Sequence, residues 1–192
     1  MTGLIKVAFV GACYVGKTCL CNVIVNKKNS FDNYSRTIGI NYILRKINDK
    51  RVAIYDLSGS KTFGLVTDSY VNKCDILFLC YSVDDEESYT YMLDKHNQYI
   101  GPYKIIIIQT KSDSANRIQS LEQTAQSFAS FKNYKFISTS SFNEEGISDV
   151  IKEMNIDSPD KPEIYVDVTT NLLEINETKK CCCNIWSKKI EI

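Results

Sequence analysis

The chain has 192 residues, enough for one globular domain with a short surplus and too few for a second full domain. With 44% hydrophobic and 24% charged residues it can fill a core, which excludes a disordered or collagen-like polypeptide. Lys and Arg total 23, as do Asp and Glu, and this balance excludes a nucleic-acid binder that works through bulk positive charge.

Runs rich in β-formers at residues 4–10, 40–47, 52–56, 75–82, 104–110 and 134–138 alternate with segments of helical period at 17–25, 86–99, 117–131 and 145–155. The alternation predicts an α/β fold, a six-stranded and mainly parallel sheet with helices on both faces. The first run is interrupted by Lys6 and followed by Gly-Lys-Thr, so it reads as a buried strand and not as a signal core. Only Asn48 to Arg51 separates the second run from the third, which predicts one antiparallel hairpin. The fourth and fifth runs hold Ile76 to Tyr81 and Ile105 to Ile108, apolar throughout, as in central strands covered on both faces. Neither approaches the ~18 apolar residues of a membrane helix. Pro159 and Pro162 stop the last helix, which predicts a domain over 1–157 and a flexible tail over 158–192.

The eight cysteines are Cys13, Cys19, Cys21, Cys74, Cys80, Cys181, Cys182 and Cys183. No pair has zinc-ligand spacing backed by a second pair, and the one histidine, His96, is too little for a zinc site or a hydrolase triad. The expectation is a cytoplasmic protein with reduced thiols.

Gly11-Ala12-Cys13-Tyr14-Val15-Gly16-Lys17-Thr18 fits G-x-x-x-x-G-K-[ST] between a predicted strand and a predicted helix. In such a loop the backbone N–H groups, here of Cys13 through Cys19, turn toward phosphates. The lysine reaches the β- and γ-phosphates, and the threonine hydroxyl binds magnesium. The alternative is a glycine-bearing turn that binds nothing, and the motif alone does not separate GTPases from ATPases or kinases. Thr110-Lys111-Ser112-Asp113 closes the isoleucine strand at its carboxyl end, where open sheets bind ligands. A carboxylate there accepts both the N1–H and the exocyclic amine of guanine, so Asp113 would select GTP; the plain alternative is a solvated loop acid. Thr37-Ile38-Gly39 and Asp56-Leu57-Ser58-Gly59 complete the set.

With these motifs in this order, residues 4–154 resemble the Ras superfamily of small GTPases, and within it look most like a Rab. The Rab-leaning residues are Ile38-Gly39-Ile40-Asn41-Tyr42, Tyr55 before Asp56, and Ser69-Tyr70. The resemblance implies a G domain that binds GTP or GDP with Mg2+. It implies a magnesium shell of Thr18, Thr37 and Asp56, with Lys17, Thr37, Gly59 and Ser60 at the catalytic positions. Gly59 would sense the γ-phosphate through its N–H, and losing that contact on hydrolysis releases both switch segments. Ser138-Thr139-Ser140-Ser141-Phe142 is similar to the family's base loop, which places Ser140, Ser141 and Phe142 at the guanine. Tyr42, Tyr55 and Tyr70 would form an aromatic triad that, with Ile38, Gly39 and Ile40, faces effectors; ordinary hairpin packing is the other reading. The implied partners are an exchange factor, a GTPase-activating protein and effectors, for a monomer that regulates vesicle trafficking.

The chain departs from the pattern at several positions. Ser60 stands where the family has the glutamine that orients the attacking water, and a serine is too short to reach it, so hydrolysis should be slow. Tyr14 stands where a small residue is usual. It reads as a ring turned to solvent, with a lid over the γ-phosphate or a block to an incoming arginine as alternatives. Thr110 replaces an asparagine, at an expected cost of one neutral hydrogen bond, ~0.5–1.5 kcal/mol. Phe31 lies one place from the position of the family's guanine-covering aromatic. Cys181, Cys182 and Cys183 after Lys179-Lys180 resemble a prenylation signal, yet Asn184 to Ile192 follow. Palmitoylation, or trimming and then prenylation, would put the protein on the cytosolic face of endomembranes. A nucleotide-stabilised scaffold without turnover and a P-loop ATPase or kinase are the rival readings.

Overall fold

The computed structural model describes residues 3–27, 35–47 and 49–155. The chain divides into units spanning Met1–Asp160 and Lys161–Ile192, and the described residues all belong to the first.

Six strands and five helices follow in the order β1 (Leu4–Val10), α1 (Lys17–Ile24), β2 (Ile40–Ile47), β3 (Lys50–Leu57), α2 (Gly64–Val71), β4 (Ile76–Ser82), α3 (Glu86–Gln98), β5 (Lys104–Thr110), α4 (Gln119–Phe131), β6 (Lys135–Ser138) and α5 (Ile147–Glu153). The sheet order is β2-β3-β1-β4-β5-β6, parallel throughout except for the β2–β3 hairpin, as the sequence predicts. Ile47 pairs with Lys50 across the turn, and Asp49 takes the left-handed conformation there (φ 66°) that tight hairpin turns require.

Strand alternation sorts the core into two layers. Ile5, Val7 and Phe9 of β1 join Ile76, Phe78 and Cys80 of β4 beneath α1 and α5, where the Phe9 and Phe78 rings stack at 4.7 Å. Ala8 and Val10 join Leu77, Leu79 and Tyr81 on the opposite face, under α2, α3 and α4. Central strands covered on both sides must be apolar at every position, which is why 76–81 reads as an unbroken run. Each such fully buried aliphatic or aromatic side chain contributes about 1.5–3 kcal/mol.

Where boundaries differ from the sequence reading, they move by one or two residues. Helix α5 starts at Ile147 and not at Glu145, because Gly146 caps it in a left-handed conformation (φ 71°). Helix α4 starts at Gln119 because Ile118 is extended. Helix α2, preceded by a single 3-10 turn at Lys61–Phe63, is absent from the sequence reading. It opens at a glycine, carries three β-branched residues and buries only Thr67 and Val71, so it has no apolar stripe of helical period.

Candidate functional site

The carboxyl end of β1 runs into the loop 11–16, and Gly16 (φ 91°) turns the chain into α1. A Cβ on Gly11 would overlap the Cys80 carbonyl oxygen, so only glycine lets the loop leave β1 against β4. Lys17, buried at the first turn of α1, donates from Nζ to the Gly11 carbonyl at 2.8 Å and the Ala12 carbonyl at 2.6 Å. Burial holds its ammonium below the usual lysine range, opposed by the Asp56 charge. The same desolvation raises the Cys19 and Cys21 thiols, and burial pushes Cys80 up to about 12.

Three oxygens from three separate elements meet beside Lys17. Thr18 Oγ1 donates to Asp56 Oδ2 at 2.7 Å, and Thr37 Oγ1 lies 2.9 Å from Thr18 Oγ1. Asp56 is fully buried at the end of β3, and its Oδ1 has no hydrogen-bond partner among the described residues. Burial raises its carboxyl above the ordinary range, with the Thr18 hydroxyl and the Lys17 charge pulling the other way. Two hydroxyls and an uncompensated carboxylate oxygen are a hard-oxygen donor set, which fits magnesium.

Following β3, Gly59 lies directly on the loop: a Cβ there would overlap the Ala12 carbonyl carbon and the Cys13 nitrogen. Ser60 follows, its N–H donating to Ser58 Oγ at 3.3 Å. The segment 36–39 and the loop 58–60 also touch, since Ser58 N–H donates to the Gly39 carbonyl at 2.9 Å.

The 110–113 motif sits at the end of β5. The sequence reading assigns Thr110 the loss of an asparagine's contacts to the nucleotide, and the structure adds two contacts which that reading does not contain. Its hydroxyl lies 2.5 Å from the Val15 carbonyl and 2.9 Å from the Tyr81 carbonyl, so it ties β5 and β4 to the glycine-rich loop. Lys111, in the left-handed region (φ 57°), pairs with Asp84 at 3.5 Å. Asp84 also accepts from Ser114 at 3.2 Å and from Ser82. Asp113 Oδ1 accepts from buried Ser140 Oγ at 2.5 Å, and Ser140 Oγ in turn accepts the N–H groups of Phe142 and Asn143. The two base-loop segments are thereby fixed to one another, with Ser141 half-buried and the Phe142 ring 75% exposed.

Tyr42 and Tyr55 are cross-strand partners with ring centroids 5.4 Å apart, and the Tyr70 ring from α2 lies tilted against Tyr55 at 5.4 Å. Ile38, Leu44, Leu65 and Val66 are exposed. Phe31, Cys181, Cys182 and Cys183 lie outside the described residues.

Residues 6–158 match the Ras family model, about four fifths of the chain. The chain belongs to the Ras family. It is 28% identical over 195 residues to Ras-related protein Rab-8B of Dictyostelium discoideum, covering 93% of each chain. It is 27% identical to GTP-binding protein YPTM2 of Zea mays over 79% of this chain and 78% of the relative, and 26% identical to human Ras-related protein Rab-30 over the same shares. It is thus a divergent Rab-like small GTPase, with the α/β sheet of that family.

Two features of the site escaped the sequence reading. Arg36 Nε donates to the Tyr14 hydroxyl at 2.8 Å, and its guanidinium lies 5.0 Å from the Tyr14 ring centre. Asp68 of α2 accepts from Tyr99 Oη at 2.6 Å, Gln98 Nε2 at 2.7 Å and Lys95 Nζ at 3.2 Å. Pairs 22 to 31 residues apart leave no local signal, and only the tertiary fold brings them together.

Proposed function

We propose that this Rab-like GTPase is a slow switch that binds GTP and GDP with magnesium and recruits effectors at a membrane during vesicle trafficking. The observation that carries the reading is the convergence of Lys17, Thr18, Thr37 and Asp56 at the carboxyl end of β1. Thr18, Thr37 and Asp56 hold the ion, which when bound neutralises charge on the phosphates. Lys17 and the N–H groups of Cys13 through Cys19 bind phosphate oxygens. Asp113 selects guanine by accepting from its N1–H and amine, held for that task by Ser140. Lys111, Thr110, Ser141 and Phe142 border the base, and Phe31, outside the described residues, is the sequence candidate for the aromatic that covers it. Gly59 reads the terminal phosphate through its N–H. Ser60 cannot reach the attacking water, so intrinsic hydrolysis is weak and an activator that brings its own glutamine restores it.

An exchange factor, an activator and effectors are the partners, with effectors meeting Ile38, Gly39 and Ile40 beside the tyrosine triad. The protein acts as a monomer. No described helix is long and apolar enough to cross a membrane, and attachment to the cytosolic face of endomembranes runs through Cys181, Cys182 and Cys183.

Titration of the nucleotide-stripped chain with fluorescent GDP and a GTP analogue, with and without magnesium and with ATP as competitor, tests the site. Magnesium-dependent, guanine-selective binding, followed by single-turnover phosphate release, is the expected result. Equal competition by ATP overturns the guanine assignment, and no release even with a glutamine-supplying activator overturns the switch.

A further inference from the structure

We propose that Arg36 is a further phosphate-binding residue of this chain. Tyr14 seats its guanidinium at the mouth of the nucleotide cleft, where it recognises the terminal phosphate of a nucleoside triphosphate. The inference rests on the guanine-nucleotide reading above and deepens it.

Arg36 and Tyr14 both line the cleft that Lys17, Thr18, Thr37 and Gly59 line. Arg36 directly precedes Thr37, whose hydroxyl is held 2.9 Å from Thr18, so the backbone bearing the guanidinium is anchored at the metal-site oxygens. The side chain has two anchors of its own on Tyr14: the 2.8 Å hydrogen bond from Nε to the phenol oxygen, and the ring face 5.0 Å below the guanidinium carbon. That hydrogen bond is made by Nε, and the terminal nitrogens of the fork are the ones suited to paired contacts with phosphate oxygens.

Tyr14 itself takes a backbone conformation rare for an aromatic residue (φ 67°), and such strain persists where surrounding contacts determine it. A bulky ring inside a phosphate loop, bonded to the residue before the metal-binding threonine, thus acts as a positioning residue. It converts an exposed, rotamer-rich arginine into an oriented one and lowers the entropy lost on phosphate binding. A triphosphate adds negative charge at the end of the nucleotide nearest Thr37, and the cation beside Thr37 favours it over a diphosphate.

The test measures affinities of the full chain for fluorescent GDP and for a non-hydrolysable fluorescent GTP analogue, both with magnesium, across a salt series. R36Q is expected to weaken the triphosphate analogue about tenfold relative to GDP and to flatten the salt dependence of the ratio. R36K keeps the charge and recovers part of the preference; Y14F, which removes the acceptor and keeps the ring, falls between wild type and R36Q. Arg36 is exposed, so R36Q should melt with the wild type. A ratio unchanged in R36Q, or an equal loss for both nucleotides, overturns the inference while leaving the nucleotide site standing. A wild type that binds neither nucleotide overturns both readings.

Discussion

The Tyr99 hydroxyl donates to the Asp68 carboxylate over 2.6 Å, and with Gln98 and Lys95 it fastens α2 to the end of α3. Helix α2 has little burial of its own, so this polar clamp carries much of its attachment. D68N weakens three hydrogen bonds, two of them from neutral donors to a charged acceptor. The expected loss is about 1–3 kcal/mol of stability, with faster amide hydrogen exchange confined largely to residues 61–71. Y99F should show the same pattern at smaller amplitude. Exchange mass spectrometry with denaturant melts checks both, and unchanged exchange in α2 would remove the clamp.

The same carboxylate sets a pH dependence. Burial alone would raise Asp68, but the hydrogen bonds from Tyr99 and Lys95 more than offset it and hold the carboxyl below the usual range. A carboxyl depressed in the folded state gives its stability in full above the unfolded value, about 3.9, and loses it as pH falls through the folded value. Asp84 has the same sign, with its burial outweighed by Ser82 and Lys111. Thermal melts should therefore fall below about pH 4, and D68N should narrow its gap to the wild type there.

Thr110 offers a direct test of the strut between β5 and the glycine-rich loop. T110V keeps the shape and removes the proton shared by the Val15 and Tyr81 carbonyls, both in buried residues. The expected cost is about 1–3 kcal/mol in stability. T110S, which retains the hydroxyl, should lose less than half of that. Equal melting of T110V and wild type would show that the hydroxyl ties nothing.

We assign the slow hydrolysis of the proposed switch to Ser60. S60Q supplies a side chain long enough to orient water beside Gly59, and single-turnover phosphate release should rise by roughly ten- to a hundredfold, with GDP affinity unchanged. A variant as slow as the wild type would place the defect elsewhere in the site.

Much of this architecture is legible from residue patterns. The continuous apolar runs announce β4 and β5, the four-residue interval announces the hairpin, and the glycine, lysine and threonine of the phosphate loop announce the site. The tyrosine triad comes from the family resemblance, and the hairpin register sets Tyr42 opposite Tyr55. Helix α2 is not legible, since much of its attachment runs through Asp68, a polar side chain on a segment without an apolar stripe. Nor is the bond from Thr110 to Val15, which spans 95 residues of sequence.

The contact between Gly59 and the Ala12–Cys13 peptide involves no side chain from Gly59. Backbone meets backbone there, with no rotamer to absorb a displacement. A displacement of the 11–16 loop toward residue 59 meets only backbone there. The side chains of Tyr14 and Ser60 on either side have no part in this contact, whose spacing is set by the thickness of a peptide plane.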